Sequence, residues 1–174
     1  MPVIGEYRNR FNRNYVWVIP TDLGPGTWRL TADDDPDTPG PEPETNYFQA
    51  TVDSGTPTIL AGQLVYINDA GNAALASSTA IATGRPVGVA VNTAVANALI
   101  NITSNEVISL TNVSDVVEGA PSNLEVGRYY WLSTVPGKYT RDPDTTTSGN
   151  VLVQVGLAAS ASEMQIEIQN PLVI

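Results

Sequence analysis

From Ala61 onward the chain runs through one pattern of strands and glycines twice, and this repetition restricts the possible folds more than any other feature. The first pass is Ala61-Gly62-Gln63-Leu64-Val65-Tyr66-Ile67-Asn68, then Gly71-Asn72, Val87-Gly88-Val89-Ala90 and Ala98-Leu99-Ile100-Asn101-Ile102. The second is Val126-Gly127-Arg128-Tyr129-Tyr130-Trp131-Leu132-Ser133, then Gly137-Lys138, Val155-Gly156-Leu157-Ala158 and Met164-Gln165-Ile166-Glu167-Ile168. The offset is 65 residues between Gly62 and Gly127 and 68 between Gly88 and Gly156. The pseudo-repeats thus lie near 61–103 and 126–169. A glycine leading into a strand can take positive φ or let two backbones approach closely. The paired Val-Gly-Val/Leu-Ala elements point to small residues at a crowded strand crossing.

The rest of the pattern is β as well. Runs rich in Val, Ile and Tyr predict strands at Tyr47–Asp53, Gln63–Asn68, Val87–Val91, Ala98–Thr103, Val107–Leu110, Arg128–Ser133, Val151–Leu157 and Met164–Gln169. Clusters such as Asp69-Ala70-Gly71-Asn72 and Val135-Pro136-Gly137-Lys138 separate them as turns. Only Ala74 to Ala82 suggests a short helical turn. Closely spaced short strands argue for an all-β fold, a small β-barrel or sandwich built from the internal repeat. Each half has too few strands to stand alone, so residues 46–174 are read as one domain.

Residues 1–45 differ in composition. Tyr15-Val16-Trp17-Val18-Ile19 reads as a strand that stops at Pro20. From Ala32 to Thr45 the chain is acidic and proline-rich with no large apolar residue, the composition of an exposed linker. The expectation is an extended N-terminal arm that must dock on its own domain, a neighbouring copy or another protein. Its candidate interface residues are Tyr7, Arg8, Arg10, Phe11, Arg13, Tyr15 and Trp17, because Arg, Tyr and Trp are enriched at binding hot spots. A nucleic-acid arm is the competing reading of the same residues. The chain's net charge of −10 opposes it, as it opposes binding to anionic membrane.

Histidine and cysteine are both absent. That removes Ser-His-Asp and Cys-His catalysis, His- or Cys-ligated transition metals and disulfides. Carboxylates remain. Asp33, Asp34, Asp35 and Asp37 do not match EF-hand spacing, and Pro36 and Pro39 limit wrapping around an ion. Asp142 and Asp144 flank Pro143 as in a turn. Glu163 and Glu167 could be imagined as a glycosidase pair, but alternation puts Glu167 on a polar strand face with Gln165 and Gln169. Asn101-Ile102-Thr103 and Asn112-Val113-Ser114 match the glycosylation pattern. The N-terminal residues show no secretory signal, and Pro86 to Ile102 is too polar to span a bilayer. The expectation is a non-enzymatic protein with no cofactor, no metal, and neither nucleic acid nor membrane as partner.

The layout of strand, glycine turn, Ser/Thr-rich loop, Pro86-Val87-Gly88-Val89-Ala90, then Val126 to Leu132, Val155 to Ser160 and Glu163 to Ile168 resembles small β-barrel domains of tailed-bacteriophage virions. These occur in capsid decoration (cement) and head-fibre proteins. The resemblance spans residues 47–174 and leaves the arm outside it. It implies a homotrimer bound to the major capsid protein, on the capsid surface of a virion assembled in the host cytoplasm. The alternative is a receptor- or glycan-binding module of a head or tail fibre or adaptor, recognising its ligand through the loops near 69–84 and 134–149.

Overall fold

Every strand expected between Tyr47 and Gln169 forms, most of them shortened where Gly, Asn and Asp begin the turns. The computed structural model describes residues 47–174 throughout and, before them, the backbone of three strands. The chain divides into units at residues 1–45 and 46–174.

The first unit departs from the expected extended arm. Its strands β1 (Glu6–Arg8), β2 (Asn14–Val18) and β3 (Thr27–Leu30) form an antiparallel three-stranded sheet in that order. Glu6-Tyr7-Arg8 and Thr27-Trp28-Arg29-Leu30 supply two strands that the sequence reading lacked. Register sets Tyr7 opposite Tyr15, Tyr15 opposite Leu30 and Trp17 opposite Trp28.

The second unit holds β4 (Tyr47–Thr51), β5 (Leu64–Ile67), β6 (Ala73–Leu75), β7 (Gly88–Ala90), β8 (Leu99–Thr103) and β9 (Val107–Ser109). One helical turn, α1 (Val113–Val116), follows. Then come β10 (Tyr129–Leu132), β11 (Tyr139–Thr140), β12 (Val151–Leu152), β13 (Gln154–Ala158), β14 (Glu163–Ile166) and β15 (Leu172–Val173). They make two five-stranded sheets, β4-β8-β7-β5-β6 and β9-β14-β13-β10-β11, and a two-stranded pair, β12-β15. Ladder pairing within the sheets is antiparallel throughout.

The two five-stranded sheets therefore share one strand order, and their hydrogen bonds match in detail. Gly62 N–H donates to Ala90 C=O at 2.7 Å, and Gly127 N–H to Ala158 C=O at 2.9 Å. Both glycines have positive φ, +87° and +77°. A parallel bridge joins Val52, just after β4, to Ala73 of β6 in the first half, and Val117, just after α1, to Tyr139 of β11 in the second. Two insertions in the second half break the match: α1 after β9, and β12 between β11 and β13. β6, the counterpart of β11, covers Ala73–Leu75, at the start of the stretch where a helical turn was expected. Val113 and Val116 of α1 are buried. The Val116 side chain lies over Gly62, where an added Cβ would stand 3.4 Å from Val116 Cγ1 and 2.9 Å from Leu110 Cδ2.

Burial explains the different hydropathy patterns of the sheets. The first is covered on both faces. Val65, Ala90, Ile100 and Ile102 close over Val52 and Ile59 on one side. Leu64 and Val89 on the other join Tyr130, Leu132, Val155, Met164 and Ile166 of the second sheet. Leu64-Val65-Tyr66-Ile67 is accordingly an unbroken apolar run. The second sheet buries one face, so Met164 and Ile166 are inside while Glu163 and Glu167 are exposed. Tyr129, Tyr130 and Trp131 alternate as exposed, buried and half-buried.

Tyr139 is the one buried side chain among the described residues whose polar atom has no hydrogen-bond partner. Burial pushes its phenol far above the ordinary tyrosine range, so it stays neutral. Its hydroxyl is desolvated without compensation, at about 1–3 kcal/mol. Tyr139→Phe should therefore raise unfolding free energy by about 1 kcal/mol in urea titration. A variant no more stable than the parent would show that the hydroxyl is satisfied in solution.

Candidate functional site

The site residues expected in the first unit are placed only in part. Tyr7 and Arg8 lie on β1, Tyr15 and Trp17 on β2, and two-residue alternation puts Tyr15 and Trp17 on one face of that sheet. Arg10, Phe11 and Arg13 lie outside the described residues, as do Asp33, Asp34, Asp35 and Asp37.

Most carboxylates of the second unit are engaged in structure. Asp144 Oδ1 accepts hydrogen bonds from the N–H groups of Thr146 and Thr147 and from Thr146 Oγ1, while Oδ2 accepts from Asn150 Nδ2. The Thr147 hydroxyl, with the N–H and hydroxyl of Thr146 and the N–H of Thr147, holds its carboxyl well below the usual range, and the carboxylate organises a turn. Arg128 reaches both Glu125 and Asp142, at 3.5 and 3.8 Å, and Arg141 also pairs with Glu125. Glu167 accepts from Gln169 Nε2 on the surface. Among the described residues no three acidic side chains converge as metal ligands, and no helix is long and apolar enough to cross a membrane.

What remains chemically available is main chain at sheet edges. In β9, Ile166 N–H donates to Glu106 C=O and Leu110 N–H donates to Ser162 C=O, so the even-numbered residues face β14. Val107 and Ser109 face the other way and have no main-chain partner among the described residues. This open edge borders a cleft of about 230 Å³ whose walls include Gly62, Ala90, Val91, Glu106 and Val107. Val91 and Val107 are about half exposed there. β4 is open only at its start. Val52 N–H donates to Ala98 C=O, so Phe48 and Ala50 face β8 while Tyr47 and Gln49 turn their main chain outward. β6 covers the far end of β4 through the Val52–Ala73 parallel bridge and the bond from Asp53 N–H to Ala73 C=O.

A separate groove of about 360 Å³ lies at the loop after β6, lined by Tyr66, Asn68, Asp69, Ile81 and Arg85. Asn68 is fixed there, its amide donating to Asp53 Oδ1 at 3.0 Å and its oxygen accepting from Ala70 and Asn72 N–H. Arg85 has no acidic partner among the described residues.

Sequence reasoning found β4 and β9 as strands but not as edges. Edge position depends on which strand pairs with which, and that is set by residues far away in sequence. Searched against known protein families and against curated proteins, the chain matches none.

Proposed function

We propose that this chain is a structural component of a tailed-phage virion, a capsid decoration protein that binds the major capsid protein and stabilises the assembled shell without chemistry. The reading rests on the cleft beside β9. An extended segment laid along Val107–Ser109 would meet unpaired main chain on one side and the apolar wall of Val91 and Gly62 on the other, the arrangement used for strand addition. The matching strand order also supports reading residues 46–174 as one small β-barrel or sandwich domain built from an internal repeat, like the virion domains this sequence resembles. A protein that binds only the assembled shell stabilises it by mass action.

The test adds purified protein to shells that lack it. Binding with a rise in shell melting temperature is expected. Ser109→Pro removes an outward N–H at an edge position that tolerates proline, and should weaken shell binding about tenfold or more with β circular dichroism unchanged. Binding to host-cell glycans with no binding to shells would overturn the reading.

The groove holding Arg85 favours a second function, a glycan-binding module of a fibre or adaptor. Tyr66 offers an aromatic face, Asn68 a fixed amide, Asp69 an exposed acceptor, and Arg85 an unpaired guanidinium for an acidic sugar.

A further inference from the structure

Register gives the two five-stranded sheets one equivalent row of residues each. In the first sheet the row is Tyr47–Thr103–Val89–Leu64, across β4, β8, β7 and β5. In the second it is Val107–Gln165–Leu157–Tyr129, across β9, β14, β13 and β10. Leu64 and Tyr129 each lie two residues after Gly62 or Gly127, and Val89 and Leu157 each lie one residue after Gly88 or Gly156. The rows differ in burial. Leu64 and Val89 are fully buried in the core shared with the second sheet, and Thr103 between β4 and β7 is 1 % exposed. Val107 and Tyr129 are 53 % and 52 % exposed, with Leu157 and Gln165 half-buried between them. Trp131, on the same face of β10, is also half-buried. The face that joins the halves in the first sheet stands uncovered in the second, and it is apolar and aromatic.

Which surface fits it follows from the faces that remain. In the first half this face is met by a sheet of the same strand order. The inner face of the second sheet is filled by Leu64 and Val89, and the other face of the first sheet by Val52 and Ile59. Of the four sheet faces one is left, so a second copy can meet it sheet on sheet only with the same face. Such a contact is self-complementary about a two-fold axis. Charge indicates where the axis runs. Glu163 in β14 and Glu167 just after it are exposed on this face. An axis along the strands, between β14 and β13, lays β14 of one copy over β13 of the other and keeps these carboxylates from meeting their own copies. It also sets Tyr129 of each copy over Val107 of the other, a large side chain over a small one.

We infer that a second copy packs on the outer face of the second sheet, as two aligned sheets, about a two-fold axis between β13 and β14. This goes beyond the capsid reading and does not depend on it. The main-chain edge of β9 lies in the plane of the sheet and stays open for another strand.

Sedimentation velocity of the full-length chain, over a concentration series extending to the solubility limit, tests the contact. The parent should reach twice the single-chain mass. Association should strengthen with salt, as repulsion between bodies of net charge −10 is screened. A single-chain mass at every concentration would overturn the inference. Val107→Glu and Tyr129→Lys test the axis. Each alone buries an unpaired charge against the other copy and should weaken pairing at least tenfold. An equimolar mixture of the two should recover the doubled mass, because the introduced charges are opposite and meet across the axis. A single variant that pairs as the parent does, or a mixture that stays at single-chain mass, would overturn the inference as well. Both substitutions lie on an exposed face, and circular dichroism of each variant confirms that the β signal is unchanged.

Discussion

Replacing Gly156 with alanine is expected to cost about 3 kcal/mol or more of folding stability, and replacing Gly88 a similar amount. Neither glycine has positive φ, so alanine suits the local backbone, and Gly→Ala even gains about 0.4–1 kcal/mol by restricting the unfolded chain. The cost is steric. A Cβ at Gly156 would stand 2.3 Å from Gln165 O and 3.3 Å from Ile166 Cα, main-chain atoms of the strand paired with it. At Gly88 it would stand 2.4 Å from Thr103 O and 2.5 Å from Ile102 Cγ2. No rotamer change relieves a contact with a carbonyl in a ladder. β13 must move off β14, or β7 off β8, and hydrogen bonds are lost with the packing. Overpacking typically costs about 1–3 kcal/mol, and collisions with main chain lie at the upper end of that range or beyond it. Against a total stability of about 5–15 kcal/mol, the double variant should be largely unfolded at room temperature. Urea titration of each single variant measures the effect. A loss below about 1 kcal/mol at Gly156 would mean that the strands separate far more easily than their pairing indicates.

Those two glycines also show how much of the fold could be read from sequence. The recurrence of Val-Gly-Val/Leu-Ala implied close strand approach, and both glycines face the main chain of a neighbouring strand. The major strands were legible because Val, Ile and Tyr concentrate in them. β6 was not, since Ala73-Ala74-Leu75 has no β-branched residue and lies in a Ser- and Ala-rich stretch that reads equally well as a helical turn. β11 and β15 are two residues each, too short to show a period. α1 is a single turn, and Val113 and Val116 become a buried pair only within the core that residues of both sheets share. The candidate site was less legible than the fold. An open edge is a property of pairing, and nothing within Val107-Ile108-Ser109 or Tyr47-Phe48-Gln49 distinguishes an outer strand from an inner one. Arg85 stands out only once Arg128 and Arg141 are seen to be paired with acids.

Gly71 and Gly137 occupy the same turn in the two halves, 66 residues apart, with φ of +81° and +76°. Their alanine variants should nonetheless differ. Both pay the left-handed backbone cost of about 1–2 kcal/mol, and at Gly71 that is all, since nothing lies within 4 Å of an added Cβ. At Gly137 the Cβ would stand 2.7 Å from Leu75 Cδ2 and 3.2 Å from Gln63 Cδ and Nε2. Gln63 is not free to yield, because its Oε1 accepts from Leu60 N–H at 2.8 Å. The peptide groups at Gly137 also hold the two halves together. Its N–H donates to Ala76 C=O at 2.7 Å, and its C=O accepts from Leu64 N–H at 3.0 Å. Gly71, by contrast, donates within its own turn to Asn68 C=O. Gly71→Ala should therefore lose about 1 kcal/mol and Gly137→Ala about 2–3 kcal/mol in the same urea titration. Because the backbone strain is common to both, the difference isolates the contact between the second half's turn and the first sheet. Equal losses would mean that Leu75 and Gln63 move aside at no cost and that the halves are held by the apolar core alone.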